Sequence, residues 1–137
     1  MKDYLKKKDG EKLSISLTEQ KLSRSLTRAP LSYSPDGQLH YGHKVMLWNK
    51  RTDGLLVIDM GDRIPSFEEA YAVTTSTRCS GPINRSVFVV VRANSKEEND
   101  EGVVQYGEKV RILANSYISS KPVRVVKYSS LHFAAVL

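Results

Sequence analysis

The sequence predicts a mostly β domain preceded by a basic, partly helical arm. Three observations carry that reading. Short apolar runs alternate with turn residues from about residue 34 onward. The pattern Tyr-Gly-x-Lys-Val occurs at residues 41–45 and again at 106–110. Positive charge is concentrated in the first thirty residues.

The arm comes first. Residues 1–30 hold eight basic and four acidic groups, and residues 31–137 hold thirteen and eleven. The net charge of +6 therefore sits mainly in the arm. Such a segment favours an acidic partner surface, whether protein, nucleic acid or anionic lipid. Asp3 to Lys8 can start a helix, with Asp3 at its positive end, and Gly10 is expected to interrupt it. Ser16 and Glu19 have capping-box spacing and can start a second turn of helix. Leu13 pairs with Leu17 and Leu22 pairs with Leu26, a thin apolar stripe that needs a partner to be stable. Pro30 is expected to end the arm.

The body follows at residue 31. Ser34-Pro35-Asp36-Gly37 is a turn signal. Leu39, Tyr41, Val45 and Leu47 share one parity, and Val45–Trp48 reads as a strand. Asn49–Gly54 is a turn, and Leu55–Ile58 is the returning strand. Asp59–Pro65 reads as another turn. Phe67–Thr75 mixes helix formers and strand formers. Val87–Val91 is the most strand-like run. Residues 94–102 are acidic and polar and read as a solvated loop. After the second Tyr-Gly unit, Tyr117-Ile118 and Val123–Val126 are the expected strand pair. Asn49 and Asn115 close the two units, offset by one residue. A repeated hairpin-opening unit in a β chain points to pseudo-symmetric architecture, of which a threefold trefoil is one solution. Two units are visible. The third is degenerate, lies beyond this chain, or does not exist.

Chemistry is sparse. A single Cys forms no internal disulfide, and three His without clustered Cys or carboxylates make no structural zinc site. His40 and His43 flank Tyr41-Gly42, but the second unit has Gln105 and Glu108 there. Asp59 and Asp62 read as turn carboxylates. Cys79 has Arg78 beside it and no partner base in its neighbourhood, with His132 remote in sequence. No glycine-rich phosphate loop is present. No enzyme, metal or cofactor is expected. No apolar run approaches the ~20 residues that cross a bilayer, and no apolar signal segment follows the charged N-terminus. An intracellular protein without a membrane partner is expected. Tyr41, Trp48, Phe88 and Tyr106 lie near basic residues, the loose ingredients of a nucleic-acid surface. A core competes for the same side chains.

Four stretches carry a resemblance: "MKDYLKKKDGEKL" at 1–13, "LSYSPDGQLHYGHKVML" at 31–47, "GPINRSVFVV" at 81–90 and "VQYGEKV" at 104–110. Together they resemble the cilia- and flagella-associated protein 161 family. The middle block is the specific part. The matches include Asp36-Gly37, His40-Tyr41-Gly42, Lys44–Leu47, Pro82-Ile83, Arg85, Phe88 and Tyr106-Gly107. Family members are longer, and residues 114–137, with Pro122 in a would-be strand, match poorly. The resemblance implies a trefoil-like domain of the MIR type, here truncated, over residues 31–137, with residues 1–30 as a docking arm. It implies a non-enzymatic structural protein on the luminal side of the ciliary doublet A-tubule. Its partners would be tubulin and neighbouring inner proteins, and its place the axoneme.

The residues expected to meet that partner are Lys2, Lys6, Lys7, Lys8, Lys12, Leu13, Leu17, Lys21, Leu22, Arg24, Leu26 and Arg28 in the arm. Lys44 and Lys109 join them from the repeats. The rival reading is a small β domain that binds nucleic acid.

Overall fold

The computed structural model describes residues 2–63, 71–94, 101–118 and 133–136. For residues 2–7, 62–63 and 133–136 the description covers the backbone alone. The chain is a mostly β domain with an N-terminal helix. Five antiparallel strands curl into a half-barrel in the order β3 (Tyr71–Ser76), β2 (Gly54–Arg63), β1 (Lys44–Asn49), β4 (Phe88–Arg92), β5 (Val110–Ala114), and β6 (Phe133–Val136) adds to β1.

Helix α1 runs from Lys2 to Leu26 without a break. The expected interruption at Gly10 does not occur. A glycine in a helix costs ~1 kcal/mol relative to alanine, and the strong helix formers on both sides outweigh that. Ser16 and Glu19 consequently lie inside the helix, not at a start. Thr18 Oγ1 and Ser25 Oγ return to the carbonyls of Ser14 and Leu22, at 2.9 and 2.6 Å.

The helix stops four residues before Pro30, because the body takes over its last carbonyls. A helix end leaves its final carbonyls without internal partners. Asn84 Nδ2 donates to the Arg24 carbonyl at 2.8 Å. The backbone N–H of Arg85 donates to Ser25 and that of Asn84 to Thr27, at 3.1 and 2.9 Å. Ala29 N–H then donates to Pro82 at 3.0 Å, and Arg28 bridges Ile83. Ser25 and Ala29 are buried. The end of the arm is therefore built into the body.

Strand β1 (Lys44–Asn49) alternates half-buried and buried residues, with Val45, Leu47 and Asn49 inward. It pairs β2 (Gly54–Arg63) through a turn in which Asn49 Oδ1 accepts from Arg51 N–H and Trp48 Nε1 donates to Asp53. A Cβ at Gly54 would lie 3.3 Å from the Ser76 backbone, so glycine lets β3 approach. Strand β2 runs on through the expected turn at 59–65 as far as Arg63. An irregularity between Asp59 and Arg63 accommodates the change, with Asp59 Oδ1 accepting from Gly61 N–H.

Strand β3 (Tyr71–Ser76) settles the ambiguous stretch as strand for its described part; Phe67–Ala70 lies outside the described residues. Strand β4 (Phe88–Arg92) pairs β5 (Val110–Ala114) from Phe88↔Ala114 to Arg92↔Val110. Tyr117-Ile118 forms a turn, closed by Ile118 N–H on the Asn115 carbonyl, and not a strand. Val123–Val126, Pro122 and most of the 94–102 loop lie outside the described residues. Strand β6 (Phe133–Val136) pairs Met46–Asn49 of β1.

The core is Val45, Leu47, Leu56, Ile58, Phe88, Val90 and Ala114, with Leu39, Met60, Tyr71, Val73, Val104, Ile112 and Ile118 packed around it. Among the described residues no helix is long and apolar enough to cross a membrane.

A Cβ at Gly10 would meet nothing within 4 Å. Gly10→Ala is therefore expected to raise the stability of the first half of α1 by up to ~1 kcal/mol. Circular dichroism and amide exchange of residues 8–14 read this out as increased helix content and slower exchange.

Candidate functional site

Two surfaces gather the residues singled out by sequence: the exposed helix and the paired Tyr-Gly turns.

On α1, Lys8, Lys12, Leu13, Leu17, Lys21, Leu22, Arg24 and Leu26 are all exposed, and Arg28 is exposed just beyond the helix. Lys2, Lys6 and Lys7 belong to the helix, with side chains outside the description. The four leucines do not form one stripe. At 3.6 residues per turn, Leu13 and Leu17 share one flank, and Leu22 and Leu26 lie on the opposite flank, about 180° round. Ile15, which sequence reading passed over, joins Leu22 and Leu26; it too is exposed. Uninterrupted winding from Leu13 to Leu26 creates this separation. The side turned to the body is mostly polar: Ser14, Thr18 and Lys21, with Leu22 at the edge, line a recess with Met60, Gly61 and Tyr71. The usual arrangement turns the apolar stripe to the core. Here mostly polar residues line the recess, and apolar residues on both flanks stay exposed.

The Tyr-Gly units share more than their sequence. Residues 36–45 and 101–110 align as acidic-Gly-x-aliphatic-x-Tyr-Gly-x-Lys-Val. Sequence reading missed the leading pair, Asp36-Gly37 against Glu101-Gly102. All four glycines have positive φ, with Gly42 at 82° and Gly107 at 86°. In each unit the first and fourth residues of the turn are bonded twice. His43 N–H donates to the His40 carbonyl, and Glu108 N–H to the Gln105 carbonyl, both at 3.2 Å. In return the side chain of the fourth residue accepts the first residue's N–H: His43 Nδ1 from His40 at 3.3 Å, Glu108 Oε2 from Gln105 at 3.0 Å. Each unit ends on a buried asparagine whose Oδ1 accepts an N–H two residues on, Asn49 from Arg51 and Asn115 from Tyr117.

The units also touch each other. Tyr41 N–H donates to the Gly102 carbonyl and Val104 N–H to the Leu39 carbonyl, at 2.9 and 2.7 Å. Tyr41 is 5% exposed, and its hydroxyl donates to Glu108 Oε2 at 2.6 Å. The Arg92 guanidinium lies 4.3 Å above the Tyr41 ring and 3.8 Å from Glu108 Oε1. The Gln105 N–H, then the Tyr41 hydroxyl, then the Arg92 charge hold the Glu108 carboxyl below its ordinary pKa. Asn115 Nδ2 donates to Asn84 Oδ1 at 3.0 Å, so the second unit reaches the helix end through Asn84.

His40 Nε2 lies 2.8 Å from Asp36 Oδ2. Asp36 also accepts from Gln38 N–H and Ser34 hydroxyl, and these bonds hold its carboxyl far below the usual range. The two imidazoles stand 4.9 Å apart. Burial first, then the neighbouring His40, lowers the His43 pKa. Among the described residues no three His, Cys, Asp or Glu are placed to hold a metal ion. Cys79 is buried, with Sγ 3.6 Å from the Gly81 carbonyl. Asp59 serves Gly61; the Asp62 side chain and His132 lie outside the described residues.

Lys44 is half-buried at the start of β1, where its backbone bonds Ser32. Lys109 is exposed ahead of β5. Both belong to the repeats. Of the four aromatics near basic residues, Phe88 and Tyr41 are buried and unavailable for base stacking, whereas Tyr106 is fully exposed. No known protein-family model matches the chain.

The two locks differ in how they titrate. A protonated His43 carries a proton on Nδ1 and cannot accept the His40 N–H. Its folded pKa lies below the ordinary 6.5, so the unfolded chain binds the proton first. The first lock is therefore fully present above pH 6.5 and is lost as pH falls through the folded value. Glu108 is lowered from 4.5 and keeps its lock to still lower pH. Amide exchange at His40 should accelerate on acidification at higher pH than exchange at Gln105, after correction for intrinsic rates.

Proposed function

We propose that this chain is a non-enzymatic structural protein whose exposed basic helix docks on an acidic cytoskeletal surface, that of tubulin inside ciliary doublet microtubules. The observation that carries this is the helix itself. It presents Lys8, Lys12, Lys21 and Arg24 together with Leu13, Ile15, Leu17, Leu22 and Leu26 to solvent, and its last turn is fixed to the body. Exposed apolar residues in such number mark an interaction surface. Basic groups among them suit an acidic partner. A helix anchored at one end carries that surface in a defined direction. Repetition of the partner along a lattice makes individually weak contacts effective together.

The resemblance to the cilia- and flagella-associated protein 161 family supplies the cellular setting: the inner wall of the A-tubule, among neighbouring inner proteins. In this reading the body is a trefoil-like domain of the MIR type, and the decapeptide units are two of its three related parts. Equal turn geometry and the Tyr41–Glu108 contact between the units support that arrangement. No cofactor and no catalytic residue is needed.

Co-sedimentation of the protein with microtubules, beside RNA and polyglutamate as competing polyanions, tests the reading. Binding should prefer microtubules. Reversing Lys12, Lys21 and Arg24 to Glu should weaken it by at least about tenfold. Leu13→Ser with Leu17→Ser should also weaken it, at unchanged charge. Equal binding to every polyanion, with a steep loss in salt, would instead mark bare electrostatics and favour the nucleic-acid reading.

A further inference from the structure

The molecule leaves both halves of its own inter-unit contact open. Unit one meets unit two when Tyr41 places its hydroxyl on Glu108. The tyrosine of unit two is Tyr106. It is fully exposed, and no hydrogen bond to its hydroxyl is present among the described residues. The residue of unit one that stands where Glu108 stands is His43. It lines an open cavity of about 460 Å³ with Pro35, Asp36, His40, Tyr41 and Glu101. Tyr106, being fully exposed, does not enter the cavity of its own molecule.

We infer that Tyr106 docks into the His43 cavity of a second copy of this chain, so that molecules join head to tail. The chemistry of the cavity suits a phenol. His43 Nδ1 accepts the His40 N–H, which places the proton of the neutral ring on Nε2. That N–H donates to the Tyr106 hydroxyl oxygen, and the Glu101 carboxylate on the cavity wall accepts the hydroxyl proton. Tyrosine serves as donor and acceptor at once, so the change from Glu108 to His43 reverses one bond without losing it. The occupant is argued from the molecule: the same ten-residue pattern already recognises itself once, between residues 36–45 and 101–110. The two open halves are different surfaces. The contact is therefore heterologous and propagates from copy to copy without a dyad. This inference stands apart from the tubulin reading, since it invokes neither the helix nor its charge.

Sedimentation velocity of the whole chain from about 1 to about 100 µM tests it. The mean mass should grow with concentration. Tyr106→Ala removes the aromatic anchor that association would bury and should weaken association at least about tenfold; Tyr106→Phe should weaken it less. His43→Ala should act like Tyr106→Ala. An equimolar mixture of the two variants keeps one intact pair, the cavity of the first with the tyrosine of the second. It should form dimers and nothing larger. Pro35→Trp, at an exposed rim position, fills the same cavity without altering the His40–His43 turn and replaces His43→Ala if that variant does not fold. A chain that stays monomeric throughout overturns the inference. So does Tyr106→Ala that associates like the parent, or a mixture that remains monomeric.

Discussion

One buried amide links the end of the helix to the end of the second repeat. Asn84 donates from Nδ2 to the Arg24 carbonyl at the end of α1 and accepts at Oδ1 from Asn115 Nδ2. Both asparagines are buried. A buried amide that loses a partner costs about 1–3 kcal/mol, more than the net value of the bond it made. The arrangement is therefore selective. The helix end, the 82–85 segment and the end of the second repeat must come together at once, or several polar groups are left without partners. Further up the helix the side turned to the sheet is mostly polar, with Ser14, Thr18 and Lys21 beside Leu22.

The repeat explains the shape of the rest. Each unit sets a left-handed glycine in a turn, bonds the turn twice, runs a strand and stops on an asparagine. The two units then face each other through Tyr41 and Glu108. Their differences lie in the acceptor and in the tyrosine's surroundings. Glu108 is an anion stabilised by three neighbours, whereas His43 is a neutral acceptor that acid removes. Tyr41 is enclosed beneath Arg92, whereas Tyr106 has no cover among the described residues. One geometry thus yields a sealed contact in one place and an open one in another.

Much of this was legible in the residues, and the illegible part has physical causes. Asn49–Gly54 announced its hairpin because turn chemistry is local. Val87–Val91 announced β4 because β-branched residues fill a buried strand. Gly10 misled because its propensity cost is small beside the cooperativity of a long helix. Ser16 and Glu19 have cap spacing, yet spacing alone does not say that a helix begins there. In a broken helix the leucine pairs can form one stripe; in one continuous helix they part to opposite sides. The full repeat is hidden because Asp36 and Glu101 differ in identity, and Gly37 reads as part of a Pro-Asp-Gly turn. Tyr41 and Glu108 are 67 residues apart in sequence, and Asn84 lies 60 from Arg24. Contacts of that kind have no local signal.

The most direct test of the central claim is native-state amide hydrogen exchange on Asn84→Ala beside the parent chain. If Asn84 ties the helix to the sheet, exchange should quicken by at least about tenfold at Ala29, Arg85 and Tyr117, and global stability should fall by about 2 kcal/mol. Unchanged protection at Ala29 and Arg85, with α1 still ordered to Leu26, would contradict it and place the anchorage of the helix elsewhere.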